Sequence, residues 1–283
     1  MSLPSQTTVG AVALTISNLE RSLAYYQENL GLSLQRQENG TAWLGAGSNT
    51  FLILTEQPGA RRPGRTTGLY HFAILTPSRL ALAKSLRHLA DTQTRVSGFA
   101  DHLVSEAIYL SDPDGNGIEI YCDRPRDEWP RLDGQIQMAS DPLDLEGIMG
   151  ELEGRDEPWT GLHPETILGH MHIHVAHLPA ALTFYRDVIG FDLMVQWAES
   201  AGFLSAGGYH HHLGVNTWNG VGAPPPPPGS VGMRWFTVVL PGQEELERVT
   251  ENVRRAGVPV EEHEDGVLVR DPSQNAVVLT VSP

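Results

Sequence analysis

The feature that most constrains the fold is an internal repeat. Residues 9–32 read VGAVALTISNLERSLAYYQENLGL and residues 168–191 read LGHMHIHVAHLPAALTFYRDVIGF. Both give an alternating strand, a turn ending in Leu, a short amphipathic helix carrying Tyr-Tyr or Phe-Tyr, and a Gly break. Two further segments open the same way, GLYHFAIL at 68–75 and GMRWFTVVL at 232–240, and lead into helices near 77–90 and 242–256. Each of these closes with a related turn and strand, DPDGNGIEIYC at 112–122 and DPSQNAVVLTV at 271–281. Period-two alternation marks half-buried strands, and Asp-Pro followed by Asp-Gly is turn chemistry. Repeated units of this kind bury their apolar faces against one another. The pattern predicts an α+β chain of four strand-helix-strands (βαβββ) modules, at 9–56, 68–123, 168–219 and 231–282. In sequence they fall into two domains, 1–125 and 168–283, joined by a linker at 126–167 that is rich in Asp, Glu, Pro and Gly. Within it, 141–152 has the pattern of a short helix. Pro224 to Pro228 is an unbroken proline run, expected as an extended connector between modules three and four.

The 283 residues suffice for two domains with a substantial core. A net charge of −15 opposes binding to nucleic acid or to an anionic membrane, but is compatible with a small aromatic substrate. Cys122 is the single cysteine, so no intrachain disulfide forms, which suits a reducing compartment. No apolar run approaches a membrane span, and the start MSLPSQTTVG lacks a signal region. The expectation is a soluble cytoplasmic protein. Its oligomeric state is not readable from composition.

Aligning the modules exposes the chemistry. In the opening strands one position is Ala11, His71, His170 and Trp235 across modules one to four. In the closing strands of modules two and four the matching position is Glu119 and Val278. Metal-ligating residue types therefore occur there only in modules two and three. A packing rule acting equally on four repeats does not produce that asymmetry. A carboxylate inside the apolar run Gly117-Ile118-Glu119-Ile120-Tyr121 is also costly to bury unless it is paired or holds a metal. Two imidazoles and one carboxylate make the facial triad that leaves positions open on a divalent iron, and His71, His170 and Glu119 supply that set. Taken singly, each has an ordinary structural reading, such as a core histidine or an exposed strand carboxylate. His172 and His174 share the strand face of His170. The triplet His210-His211-His212 closes module three, and an imidazole near a metal moves protons at neutral pH. His102 and Tyr109 lie upstream of Glu119 in its own module, within reach of a substrate oxygen.

The modules resemble the vicinal oxygen chelate superfamily, which includes glyoxalase I, bleomycin-resistance proteins and type I extradiol dioxygenases. The stretch His102-x5-Ile108-Tyr109-x2-Asp112-Pro113-x-Gly115-x3-Glu119 is similar to the extradiol ring-cleavage signature. Ala100, two before His102, departs from the residue types usual there. The segments GLYHFAIL, SEAIYLSDPDGNGIEIY, DRPRDEW, LGHMHIHV and SAGGYHHHLGVNTW look like the catechol 2,3-dioxygenases of Bacillus, and the likeness runs over nearly the whole chain. The resemblance implies two domains of the glyoxalase type, an Fe(II) centre for which Mn(II) is the alternative metal, a catechol-type substrate, dioxygen, and a role in aromatic catabolism. It assigns His71, Glu119 and His170 to the metal, and His102 and Tyr109 to substrate. The acid/base role goes by family position to His211, with His210 and His212 as alternates. His172, His210 and His212 are further candidates for substrate contact.

Related extradiol enzymes draw their ligands from modules three and four, where this chain has Trp235 and Val278. The site must then form between modules two and three, which requires module two to pair with three and one with four. Two other functions fit the same scaffold. A glyoxalase-type isomerase or lyase needs a second carboxylate, which the strand Leu213-Gly214-Val215-Asn216 does not offer. A non-catalytic small-molecule-binding protein should lack a complete triad.

Overall fold

The structure is a computed structural model that describes residues 2–281. The predicted end of module four at 282 lies outside the described residues. Two eight-stranded sheets dominate. In order across the first run Val260–His263, Gly266–Arg270, Ala276–Val281, Gly232–Leu240, Thr8–Ile16, Asn49–Glu56, Thr41–Ala46 and Ser33–Glu38. The second runs Asp192–Trp197, Ala201–Ser205, Leu213–Asn216, Ile167–His174, Gly68–Leu75, Gly117–Asp123, Ser105–Ser111 and Val96–Asp101. Module one thus shares a sheet with module four, and module two with module three. The central seams are the antiparallel pairs of opening strands, with Ala13 beside Trp235 in one sheet and His172 beside His71 in the other. This is the pairing that Trp235 and Val278 required. Each sheet takes half its strands from either side of the linker.

Alternation sorts each strand's side chains to opposite faces. In Gly68–Leu75, Phe72 and Ile74 enter the main core, while His71 and Ala73 point to the other face. In Gly117–Asp123, Ile118, Ile120 and Cys122 are core. Glu119, Tyr121 and Asp123 take the opposite face. The main core joins both sheets to the helices between them, including Arg79–Asp91 and Gln243–Arg255. The short helices of modules one and three begin at Leu19 and Leu178 and finish in wide π-helical turns, Tyr25–Asn29 and Thr183–Ile189. The second stops at Gly190, whose φ of 110° favours a residue without Cβ.

Those turns deliver two matched buried locks. The Tyr26 hydroxyl donates to Asp112 at 2.9 Å, and the Tyr185 hydroxyl donates to Asp271 at 3.1 Å. Each joins neighbouring modules that lie in different sheets. Asp112 also caps its own turn, accepting from the N–H groups of Asp114 and Asn116, and Asp271 does the same for Ser273 and Asn275. Asp114 extends the first lock by accepting from the Ser17 N–H and hydroxyl and from Arg21.

The linker holds a small strand pair, Arg131–Leu132 with Gln135–Ile136, and the predicted short helix as Leu145–Gly150. The proline run has no regular hydrogen-bonded structure and is tied at both ends. Thr67 N–H donates to Pro224 O at 2.9 Å, and the Ser230 hydroxyl donates to Pro227 O at 2.7 Å. No helix among the described residues is long and apolar enough to cross a membrane.

Candidate metal centre

Three adjacent strands of the second sheet bring His71, His170 and Glu119 together. The register sets His170 opposite Ala73 on one side and Glu119 beside Ala73 on the other. Ala73 is fully buried, and its single methyl lets the two flanking side chains meet above it. His71 lies two residues along on the same face. Glu119 Oε2 is 3.0 Å from His71 Nε2 and 3.0 Å from His170 Nε2. One ligand atom from each residue lies within 4.8 Å of the others, and all three side chains are buried. Two donors at adjacent octahedral positions, each about 2.1 Å from an ion, stand about 3 Å apart, so the spacing fits a divalent metal.

The polar accounting points the same way. His71 Nε2 is close to Glu119 but has no hydrogen-bond partner, and His170 Nδ1 and His172 Nε2 are also buried without one. Buried polar atoms are almost always satisfied. Of the three ring nitrogens, His71 Nε2 faces Glu119 and is the one that a metal there would satisfy, whereas His170 meets Glu119 through its other nitrogen, Nε2. Burial opposes ionisation of Glu119, but His170 and His71 favour it and hold its carboxyl well below the usual range. Burial pushes His170 down to about 4, so at neutral pH it is uncharged. His172 and His211 are likewise held well down, chiefly by burial. Neutral imidazoles are the ligating form.

Around this centre lies a cavity of about 1160 Å³ lined by His71, Glu119, His170, His102, Tyr109, His172 and His211, among others. Tyr109 is the cross-strand partner of Glu119. Burial, with Glu119 adding to it, pushes its phenol well up, so it stays protonated. His102 Nδ1–H donates to the carbonyl of Ala139 in the linker at 2.6 Å, which leaves Nε2 to accept from the Tyr109 hydroxyl at 2.6 Å. Gly214 makes room for the His172 ring, because a Cβ there would stand 2.8 Å from it.

The histidine triplet separates by role. His210 is fully buried behind the cavity, and its Nε2–H donates to Asp123 at 2.8 Å. Its Nδ1 then accepts from His211 Nδ1–H at 2.8 Å. That fixes the tautomer of His211 and leaves Nε2 as its free, basic nitrogen. His211 packs on His170 with ring centroids 4.1 Å apart and lines the cavity. The His212 Nδ1 instead accepts from the Ala206 N–H, bracing its own loop. So His211 faces the cavity, whereas His210 and His212 do not line it. His174 is occupied by Asn216, 2.7 Å from its Nδ1.

Sequence reasoning missed Ala73, Asp123 and Tyr121. The last two follow Glu119 at i+2 and i+4 on one strand face, so alternation alone would have found them. It also missed Tyr70, Phe203 and Trp218 on the cavity wall. Tyr70 and Trp218 lie within the quoted segments GLYHFAIL and SAGGYHHHLGVNTW, but their place on the wall is seen only in the folded chain.

The matching positions in the first sheet are apolar. Ala13, Trp235, Leu268, Ala276 and Val278 form a buried cluster there, with Ile53 against it. Ala11 is held by Thr237, whose hydroxyl accepts from its N–H at 2.7 Å. One of two equivalent sites is filled with hydrocarbon, and the other carries the donors.

Comparisons with known proteins agree with this architecture. The Bacillus subtilis (strain 168) protein named catechol-2,3-dioxygenase is 46% identical over 285 aligned residues, covering 99% of each chain. A solved structure from Bacillus subtilis subsp. subtilis str. 168 matches with TM-score 0.67 at 12% identity, over 100% of this chain and 87% of that one. Maize glyoxalase I matches with TM-score 0.56 at 17% identity, over 97% of this chain and 92% of that one. At such identities the two structures speak for the fold alone. The model of the Glyoxalase/Bleomycin resistance protein/Dioxygenase superfamily matches twice, over residues 8–120 and 167–279. On that double match and the full-length relative, the chain belongs to the glyoxalase/bleomycin resistance protein/dioxygenase superfamily.

Proposed function

We propose that the protein is an Fe(II)-dependent extradiol dioxygenase that opens a catechol ring beside its two hydroxyl groups, with Mn(II) as the other metal its donor set accepts. The observation that carries this reading is the buried His71, Glu119 and His170 cluster at the cavity wall. The type of chemistry rests on the full-length relative named catechol-2,3-dioxygenase. The cluster has a single carboxylate among the described residues, which favours this over an isomerase, as the facial triad leaves positions open for two reactants.

His71, His170 and Glu119 would hold a divalent iron, which would supply Lewis acidity that lowers the pKa of a diol hydroxyl and open positions for diol and dioxygen. The protein does the rest. His211, neutral and with its free Nε2 on the cavity side, is the group we assign to take a hydroxyl proton and return it to the reacting oxygen. His210 and Asp123 orient it from behind. The Tyr109 phenol and His102 are assigned to hold a substrate oxygen, and His172, which lines the cavity, to contact substrate. The buried wall keeps water from the developing charge.

The test is oxygen uptake with catechol after anaerobic Fe(II) loading, with absorbance followed in the same cell. Uptake with a yellow ring-opened product is expected. Protein carrying one iron per chain that neither consumes oxygen nor forms that product, with catechol or any substituted catechol, refutes the assignment. His211→Ala should lose turnover while keeping its iron. Equal loss of both would make it a ligand or a structural residue.

A further inference from the structure

The backbone beside His102 is strained. A tight hairpin turn joins the strands Val96–Asp101 and Ser105–Ser111, closed by the His102 N–H donating to Ser105 O at 2.8 Å. Leu103 lies in that turn with a φ of 67°. Hairpin positions of positive φ are ordinarily filled by Gly, Asn or Asp, because a bulky side chain is disfavoured there. The other non-glycine residues of positive φ among the described residues are Asn39, Gln93, Asp133, Ala198 and Gln274, so Leu103 is the one branched apolar side chain in that set. Strain of this kind persists only where the surroundings over-determine it, and it gathers at functional sites. Leu103 directly follows His102, whose ring lines the cavity and accepts from the Tyr109 hydroxyl.

One side chain imposes the turn. Asp101 Oδ1 accepts from the Leu103 N–H at 2.8 Å, an Asx turn that spans His102. Its Oδ2 accepts from Arg124 Nη2 at 2.8 Å. Arg124 is itself fixed at both backbone ends: its N–H donates to Val104 O at 2.9 Å, and its carbonyl accepts from Trp129 Nε1 at 2.8 Å. Asp101 is the cross-strand partner of the buried Glu106, and like charges placed so repel. The Arg124 guanidinium offsets that repulsion, since its Nη2 also lies 3.5 Å from Glu106, whose other oxygen Arg79 Nε reaches at 2.8 Å. Asp101 further exchanges two backbone hydrogen bonds of 2.9 Å with Asp141 of the linker. Asp101, Leu103 and Arg124 do not line the cavity, so this clamp acts on it only through His102.

We propose that Asp101 and Arg124 are positioning residues that lock the strained His102–Ser105 turn and so hold the His102 ring in the tautomer and place at which it meets Tyr109. The proposal rests on the assignment of His102 and Tyr109 to a substrate oxygen. It gives the strain at Leu103 a use. Without the clamp Leu103 returns to negative φ and carries His102 away from Tyr109, whereas a glycine at 103 has no such drive. The Ala139 carbonyl alone, which accepts from His102 Nδ1–H, does not fix the backbone that bears the ring.

The experiment sets Asp101→Ala, Asp101→Asn and the double variant Asp101→Ala with Leu103→Gly beside the wild type, all loaded with iron. Asp101→Ala should raise the KM for catechol roughly tenfold or more, with kcat within about threefold of wild type and the iron content unchanged. Asp101→Asn keeps an oxygen for the Leu103 N–H and should recover most of that loss, and Leu103→Gly should recover part of it in the Asp101→Ala background. A second readout needs neither iron nor turnover. In protein with isotopically labelled histidine, NMR in chelator should show wild-type His102 as a fixed Nδ1–H tautomer, its signals assigned by their loss in His102→Gln, and Asp101→Ala should show exchange between tautomers. Should Asp101→Ala fail to fold, Arg124→Gln removes the ion pair alone and is read in the same two ways, with a severalfold rise in KM. A KM that stays put while kcat falls with the folded fraction makes the clamp structural only and overturns the proposal, as does a His102 tautomer that the variants leave unchanged. If the iron-loaded wild type cleaves no diol, the ring-cleavage reading fails, and the tautomer spectra still decide whether the clamp holds His102.

Discussion

Glu119→Gln separates a metal ligand from a structural ion-pair partner, because only the first role makes the stability gap grow when metal is added. In metal-free protein burial opposes ionisation of Glu119, but His170 and His71 outweigh it and hold its carboxyl well below the usual range. A carboxyl depressed in the folded state contributes stability at neutral pH. The substitution weakens the 3.0 Å hydrogen bond with His170 from a charge-assisted one to a neutral one, a loss of about 1 kcal/mol. The contact with His71 is not aligned as a hydrogen bond, so nothing further is lost there. The expectation is a metal-free variant about 1 kcal/mol less stable than wild type, or ~2 °C in Tm for a chain of this size. Added metal should widen the gap. At a concentration near 100 Kd it stabilises the wild type by about 2.7 kcal/mol, and the variant hardly at all. The assay is urea or thermal unfolding in chelator and then in Mn(II), with metal content measured alongside. A gap that Mn(II) leaves unchanged would refute the reasoning, because it would show that Glu119 acts on the fold alone.

Three further outcomes follow from the same geometry. Tyr26→Phe and Tyr185→Phe each remove a buried donor to a carboxylate and should each cost about 1.5–3 kcal/mol in urea unfolding, with the double variant additive to within ~0.5 kcal/mol; strong non-additivity would mean that the two locks are one unit. Burial raises the Asp114 carboxyl, but Ser17 and Arg21 outweigh it and hold it below its ordinary 3.8. Its stabilisation is therefore present above that value and lost as pH falls through the folded value. Asp114→Asn should be less stable than wild type at pH 6, and the gap should shrink below pH ~4; a gap that is flat down to acid unfolding contradicts the assignment. Ala73→Val should crowd His170 away from Glu119 and lower metal affinity by about 10–100-fold, as for other groups that support a ligand shell, at a stability cost of about 1–3 kcal/mol. Unchanged metal content by elemental analysis would show that the two side chains do not need the space over Ala73.

Much of this was legible in the chain. Period-two alternation located the four opening strands, and the Asp-Pro turns located two of the closing strands. The repeat also made His71, His170 and Glu119 stand out from Ala11, Trp235 and Val278, and the same contrast dictated which modules share a sheet. What sequence does not carry is which side chains meet across strands that are far apart in the chain. His210, His211 and His212 are three identical neighbours, and only the hydrogen bonds to Asp123 and Ala206 distinguish them. Ala73 is inconspicuous in any alignment by eye, since its importance lies in being small at one register position. Trp218 closes the segment SAGGYHHHLGVNTW, but its exposure is a property of the folded surface alone.

The hydrocarbon-filled twin site has a consequence for how the protein tolerates change. A buried group of orphaned imidazoles around a carboxylate is a local loss of stability, which a single sheet would have to offset among its own residues. Here Trp235, Val278 and Ala13 pack the equivalent place in the other sheet, and the Tyr26–Asp112 and Tyr185–Asp271 locks tie modules of the two sheets together. Duplication has thus let one copy act as ballast. The sheet with the donors is free to vary in the residues that touch a ligand, while the drift permitted in the packed sheet sets the limit on how far such variation can go before the whole chain unfolds.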